Sequence, residues 1–246
     1  MQDFSDLANT FYDEEAIKTK NMADVVVNKI KGVNVFVSSI QRLIHNIGVD
    51  AYVNDTIIDL TLTQMAEKSA KLVYVLLSTA WFTLQNRNPR ALKKLAKDLK
   101  NIKNHTILAP VCMAEHWILL ELSLSKKTAV IYDSLWNRPE PHNYHKLAKR
   151  RCTTLIQFCK DNNISDGKFQ ITYHHNLPTQ KGGIDCGIYV LLYAEHILQG
   201  MPLDNIKHSN IMHHRRRFAR NLLIKPVTIT TPDYRTPPSP ATSHED

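Results

Sequence analysis

Apolar positions along the chain fall into short stretches whose spacing switches between strand-like and helical. In "DVVVNKIKGVNVFV" two apolar runs flank Lys31-Gly32, a turn pair, so a hairpin of two short strands is expected, with the folded domain starting near Ala23. "SSIQRLIHNIG" follows with Ser38 and Gln41 in capping-box spacing and Gly48 as a stop, which predicts a short helix. In "AYVNDTIIDLTLTQMAEKS", Asn54 or Asp55 can cap a helix whose Ile57, Ile58, Leu62 and Met65 share a side. "KLVYVLLST" is a continuous apolar run and predicts a strand, whereas "NPRALKKLAKDLKNI" repeats Leu92, Leu95 and Leu99 at helical spacing.

Three strand patterns come next, "TILAPVCM", "HWILLELSL" and "TAVIYDSL", and the short link "SLSKK" makes the last two an antiparallel hairpin. "NYHKLAKRRCTTLIQFCKDNN" then predicts a helix, "KFQITYH" a strand, and "CGIYVLLYAEHILQG" a helix apolar nearly all round, hence central. A basic helix is expected from Ser209 to about Ile224. Residues 1–22 are polar and acidic and are expected to be a loosely held lead-in, and 226–246, rich in Pro, Ser and Thr, a disordered tail. That leaves 23–225 as the folded domain.

Composition narrows the class. A chain of 246 residues with 43% apolar content suffices for one domain with a real core. It contains no apolar run of membrane-spanning length, and Asp3, Asp6, Asp13, Glu14 and Glu15 are foreign to a signal peptide, so an intracellular protein of the nucleus or cytoplasm is expected. The four cysteines show neither a CxxC pair nor zinc-ligand spacing, and neither metal nor cofactor is expected. Lys and Arg collect at 93–103, 146–151 and 215–220 and account for the formal charge of +8. Solvated helix faces or an acidic protein partner explain these stretches better than nucleic acid does, and a monomer is expected.

The candidate chemistry is that of a cysteine nucleophile. Cys186 opens the apolar helix, where the positive end of the helix dipole favours a thiolate. His116 sits at the edge of one strand of the predicted hairpin and Asp133 ends the other, so pairing can place a base beside the acid that orients it. Gln180, six residues before Cys186, can turn its amide toward a developing oxyanion together with the Cys186 N–H. Each residue also has a plainer reading: a packed thiol, a surface histidine, an aspartate starting a turn.

The ordered set "YVNDTII", "HWILLEL", "AVIYDSL" and "QKGGIDCGIYV" resembles the Ulp/SENP proteases that process SUMO and related modifiers, over about residues 24–225. The resemblance implies an α+β, papain-related cysteine protease fold: a mixed, mainly antiparallel central sheet with a buried helix carrying the nucleophile. It assigns Cys186 as nucleophile, His116 as base, Asp133 as orienting acid and Gln180 as oxyanion donor. It also implies a tunnel for the modifier's Gly-Gly, roofed by Trp117 and by Tyr52, where most members have Trp. Asn54 and Asp55 form the family's N-D pair, Asp55 at a position that often meets a basic residue of the modifier; Gly183 and Asp185 match the motif before the nucleophile. The implied partners are SUMO, a Nedd-type modifier or ubiquitin, and their conjugates. Two alternatives stand beside this: a catalytically weak module that only binds the modifier, and a viral or mobile-element type protease cutting after small residues.

Overall fold

The computed structural model describes residues 26–44, 51–102, 105–113, 115–137 and 142–223. The expected lead-in, the Gly48 stop, the domain limits at 23 and 225 and the tail all lie outside these residues. A five-stranded sheet forms the centre, built from β3 (Val73–Val75), β4 (Thr106–Met113), β5 (His116–Ser123), β6 (Thr128–Tyr132) and β7 (Gln170–Tyr173), neighbours in that order. β4, β5 and β6 are antiparallel, and parallel edge strands β3 and β7 make the sheet mixed.

β5 shows why the sheet is central. Its "HWILLELS" is buried almost throughout, and alternation sends Trp117 and Leu119 to one face and Ile118, Leu120 and Leu122 to the other. The first face packs on α2 (Asp55–Lys68) and α6 (Cys186–Gln199), with α1 (Val37–Ile44) and α7 (Ile211–Leu223) behind them. The second is covered by α3 (Ala80–Asn86), α4 (Pro89–Lys100) and α5 (His142–Asp161). α6 is buried around its whole circumference, Ile188 through Ala194 included, and ends at Gly200 in the left-handed region (φ 69°), as its apolar pattern requires.

The expected hairpin is present as β1 (Val26–Ile30) and β2 (Val33–Phe36), joined by Lys31 and Gly32 with φ 50° and 82°, the positive pair of a tight turn. It leans on α7 through a bond from Asn28 Nδ2 to the Leu222 carbonyl. α1 begins at Val37, one residue before the expected Ser38 cap. Asn54, rather than Asp55, caps α2 by accepting from the Ile57 N–H at 3.0 Å.

Two local expectations differ from the structure. The "KLVYVLLST" strand is shortened to Val73–Val75, because Ser78 turns away to donate its N–H and hydroxyl to the Asp59 carboxylate and leaves Leu77 exposed. Helix α3 was not expected. It spans seven residues, ends at Arg87 in the left-handed region and is anchored by Trp81, whose indole N–H donates to the Pro110 carbonyl. No described helix is long and apolar enough to cross a membrane.

Candidate active site

Strand register decides which end of the sheet carries the candidate residues. In the β4–β5 hairpin Met113 pairs with His116, so His116 stands at the edge of the sheet. β6 runs antiparallel to β5 with Leu119 opposite Tyr132, which brings Asp133, the next residue, to the same edge. His116 Nε2 and Asp133 Oδ1 are 2.7 Å apart, and both side chains are buried. The same Asp133 oxygen accepts the Leu135 N–H at 2.8 Å, which fixes the carboxylate before any substrate arrives. The remaining oxygen, Oδ2, is 4.0 Å from Nε2 of His145, a buried nitrogen without a hydrogen-bond partner.

Cys186 is the first residue of α6 and is 1% exposed. Burial disfavours the charged form of His116, but hydrogen bonds to Asp133 and Cys186 and their charges outweigh it, and the imidazole is pushed up to about 9. An imidazolium beside a carboxylate favours the thiolate form of a neighbouring cysteine. By contrast, burial pushes the Cys152 and Cys159 thiols up to about 12, and they sit in the core against the second sheet face, as expected of packing residues.

Gln180 is held at both ends. Its Oε1 accepts from Ser134 Oγ at 2.6 Å and its Nε2 donates to the Gly182 carbonyl at 2.7 Å. Because a carbonyl only accepts, Gly182 fixes which end of the amide is nitrogen. The backbone leading into it is pinned as well: Gln180 N–H donates to the Ser134 carbonyl, Tyr193 and Tyr189 of α6 donate their hydroxyls to the Pro178 and Thr179 carbonyls, and Trp136 donates to the Leu177 carbonyl. The helix that begins at Cys186 therefore also sets the position of Gln180.

The expected tunnel residues gather around the start of α6. Trp117 donates its indole N–H to the Val53 carbonyl at 3.0 Å, joining β5 to the loop that carries Tyr52. A methyl group placed on Gly183 would lie 4.0 Å from the Tyr52 hydroxyl, so that ring reaches over the turn before Cys186. Asp55 is exposed. Two residues expected at the substrate are engaged inside the protein instead. Asn54 gives its oxygen to the α2 cap and its Nδ2 to Ser39 Oγ. Asp185 is ion-paired with Arg215 and makes no cap bond to α6.

Residues 51–226 match the model of the Ulp1 protease family, C-terminal catalytic domain. The chain belongs to this family. Human Sentrin-specific protease 2 is 26% identical over 171 residues, 64% of this chain and 28% of that protein. Ubiquitin-like-specific protease 1 of Saccharomyces cerevisiae is 29% identical over 178 residues, covering 70% and 27%. The chain thus spans little more than a quarter of the length of these relatives. Among solved structures, the C-terminal Ulp1 protease domain in complex with Smt3, the yeast ortholog of SUMO, superposes with a TM-score of 0.69 at 20% identity, over 87% of this chain and 92% of that one. The Ulp1 domain with its catalytic cysteine oxidised to a sulfenic acid gives 0.66 at 22% identity, over 80% and 87%. The fold is the α+β, papain-related fold of the Ulp/SENP type.

Within this Ulp1-family fold one residue carries more than its sequence suggested. Arg215, in the basic stretch 215–220 for which a solvated helix face or an acidic partner was expected, is fully buried. Its Nε and Nη2 donate to Asp185 Oδ1 at 2.9 and 2.7 Å, and Nη2 also reaches the Ile184 carbonyl. Nη1 donates to the carbonyls of Arg42 and Ala51. One guanidinium thus joins α1, the loop carrying Tyr52 and the turn before Cys186 to α7. Only the five-donor fork of an arginine fits such a set.

Proposed function

We propose that this chain is a cysteine protease that hydrolyses the bond after the C-terminal Gly-Gly of a ubiquitin-like modifier, SUMO being the first candidate. The observation that carries the reading is His116, held 2.7 Å from Asp133 and hydrogen-bonded to Cys186 at the start of a buried helix. Support for the substrate class comes from the relatives' names and from the Ulp1 domain in complex with Smt3.

In this reading His116 takes the Cys186 proton and the thiolate attacks the carbonyl carbon of the last glycine. The oxyanion is met by the Cys186 N–H and by the N–H of Gln180 that Gly182 does not occupy. As the tetrahedral intermediate collapses the C–N bond breaks, His116 gives its proton to the departing lysine amine, and a thioester remains. Water, deprotonated by His116, then attacks the thioester, releasing the modifier's carboxylate and the thiol. Trp117 and Tyr52 roof the diglycine, Gly183 leaves room beneath, and exposed Asp55 meets a basic residue of the modifier. Residues 23–225 act as a monomeric catalytic unit in the nucleus or cytoplasm, without a cofactor.

The test is covalent capture by intact mass. Wild type and Cys186→Ala are incubated with SUMO, Nedd-type and ubiquitin probes carrying an electrophile after the last glycine. An adduct with one probe, absent in Cys186→Ala, is the expected result and names the modifier; no adduct with any probe from folded protein sinks the proposal.

A further inference from the structure

On the sheet face opposite α6, an open groove of about 1560 Å³ runs between α4 and α5. Arg90, Lys93 and Lys97 rim one side, Lys146, Lys149 and Arg150 the other, and all six are exposed. Among the described residues none of the six has a carboxylate partner at ion-pair distance. Nine Lys and Arg line the groove against one carboxylate, Asp161, leaving +8, equal to the formal charge of the entire chain. Its floor is apolar, with Leu92 and Phe158 among the lining.

The groove also has a direction. Tyr144 of α5 packs edge-on against His116, and His145 faces Asp133. Lys146 follows at once, so the α5 rim starts beside the catalytic residues. At its other end α5 leads to Ser165, which Lys127, just ahead of β6, contacts at the far end of the sheet. α4 ends beside the start of β4, also at the far end, which puts Arg90 nearer the catalytic edge. From Lys146 to Asp161 the rim extends about 22 Å at 1.5 Å per helical residue.

We propose that this groove is a second docking surface, taking an acidic, partly apolar segment of the protein to which the modifier is attached. The inference rests on the protease reading for its substrate. An unpaired cationic rim selects Asp and Glu, and an apolar floor selects Leu-like side chains between them. Nucleic acid fits less well. Non-specific single-strand sites stack bases on exposed aromatic rings, and the only ring on this floor is the buried Phe158. At about 3.3 Å per extended residue, a segment within a few residues of the modified lysine reaches from the scissile bond to Lys146.

Two conjugates test this with the full chain: the modifier isopeptide-linked to a peptide whose lysine is flanked by Asp, Glu and Leu, and the same peptide with Asn and Gln in place of the acids. The expected result is kcat/KM about tenfold higher for the acidic conjugate at low salt, since charge complementarity acts chiefly on encounter. That advantage disappears in 0.5 M salt and in the Lys93→Glu/Lys97→Glu/Lys149→Glu variant, while hydrolysis of an unbranched modifier precursor with a neutral tail is unchanged by the variant. Equal kcat/KM for the two conjugates, or a ratio the triple variant leaves intact, overturns the proposal. If no substrate is cut, the protease reading fails, and fluorescence polarisation of the acidic peptide still decides the groove: binding must weaken about tenfold in the triple variant. A single-stranded oligonucleotide that binds the groove more tightly than the peptide and displaces it also overturns the proposal.

Discussion

Asp133 Oδ1 accepts from both His116 and the Leu135 N–H, so the carboxylate is in place to hold an imidazolium. With His116 pushed up to about 9, its imidazole stays protonated beside Asp133 through neutral pH and loses that proton as pH rises through about 9. An alkaline limb in kcat/KM near that value is expected, moving toward the ordinary histidine range in Asp133→Asn, with a loss in kcat of about a thousandfold. Stability follows the same sign: the contribution is fully present below about 6.5, the unfolded histidine value, and falls away as pH rises toward 9. Thermal melts across that window are expected to drop in wild type and to drop less in Asp133→Asn. Arg215→Lys removes most of a buried five-donor set and is expected to cost about 3 kcal/mol in denaturant unfolding and to slow probe capture at Cys186. A loss of stability with an unchanged capture rate contradicts the positioning role. Cys186, His116, Asp133 and Gln180 stood out as candidates because each sits in a short motif with its own chemistry. Arg215 did not, since an arginine in a basic run reads as solvated until a buried aspartate is found opposite it.

Helix α6 does three things at once: it fills the core, presents Cys186 at its first turn, and holds the Gln180 loop through two tyrosine hydroxyls. Its first turn has no room to spare. A methyl group on Gly187 would lie 2.9 Å from Val53 Cβ and 3.2 Å from Ile58 Cδ1. Alanine is a better helix former than glycine by up to about 1 kcal/mol, but overpacking costs about 1–3 kcal/mol, so the clash should win. Gly187→Ala is expected to lower the melting temperature and the rate of probe capture together; a stabilised, fully reactive variant refutes this packing. Most elements were readable from periodicity, because α4, α5, α6 and the β4–β6 strands are long enough to repeat. α3 escaped because seven residues span barely two turns, and what anchors it, the Trp81 bond to Pro110 and the burial of Leu84, is tertiary contact. The β3 run was overextended for a related reason: Asp59, far from Ser78 in sequence, decides where it ends.

At the scale of the molecule the sheet separates two tasks. One face supports Cys186, the Tyr52 loop and α7; the other gathers the cations of α4 and α5 into one groove. Three basic stretches look alike along the chain, yet two converge on the same surface while the third sends Arg215 into the core. Convergence of that kind depends on which sheet face each helix covers, and local spacing does not encode it. The Asp185–Arg215 link also spans thirty residues, and its cationic member is made last. During synthesis, a chain that has released Cys186 but still holds α7 inside the ribosome lacks the anchor of its nucleophile turn. Stalled nascent chains ending before Arg215 are expected to ignore an electrophilic probe, and chains long enough to expose α7 to react with it. A ribosome would then display a reactive Cys186 only after α7 has emerged, so synthesis itself times the onset of reactivity.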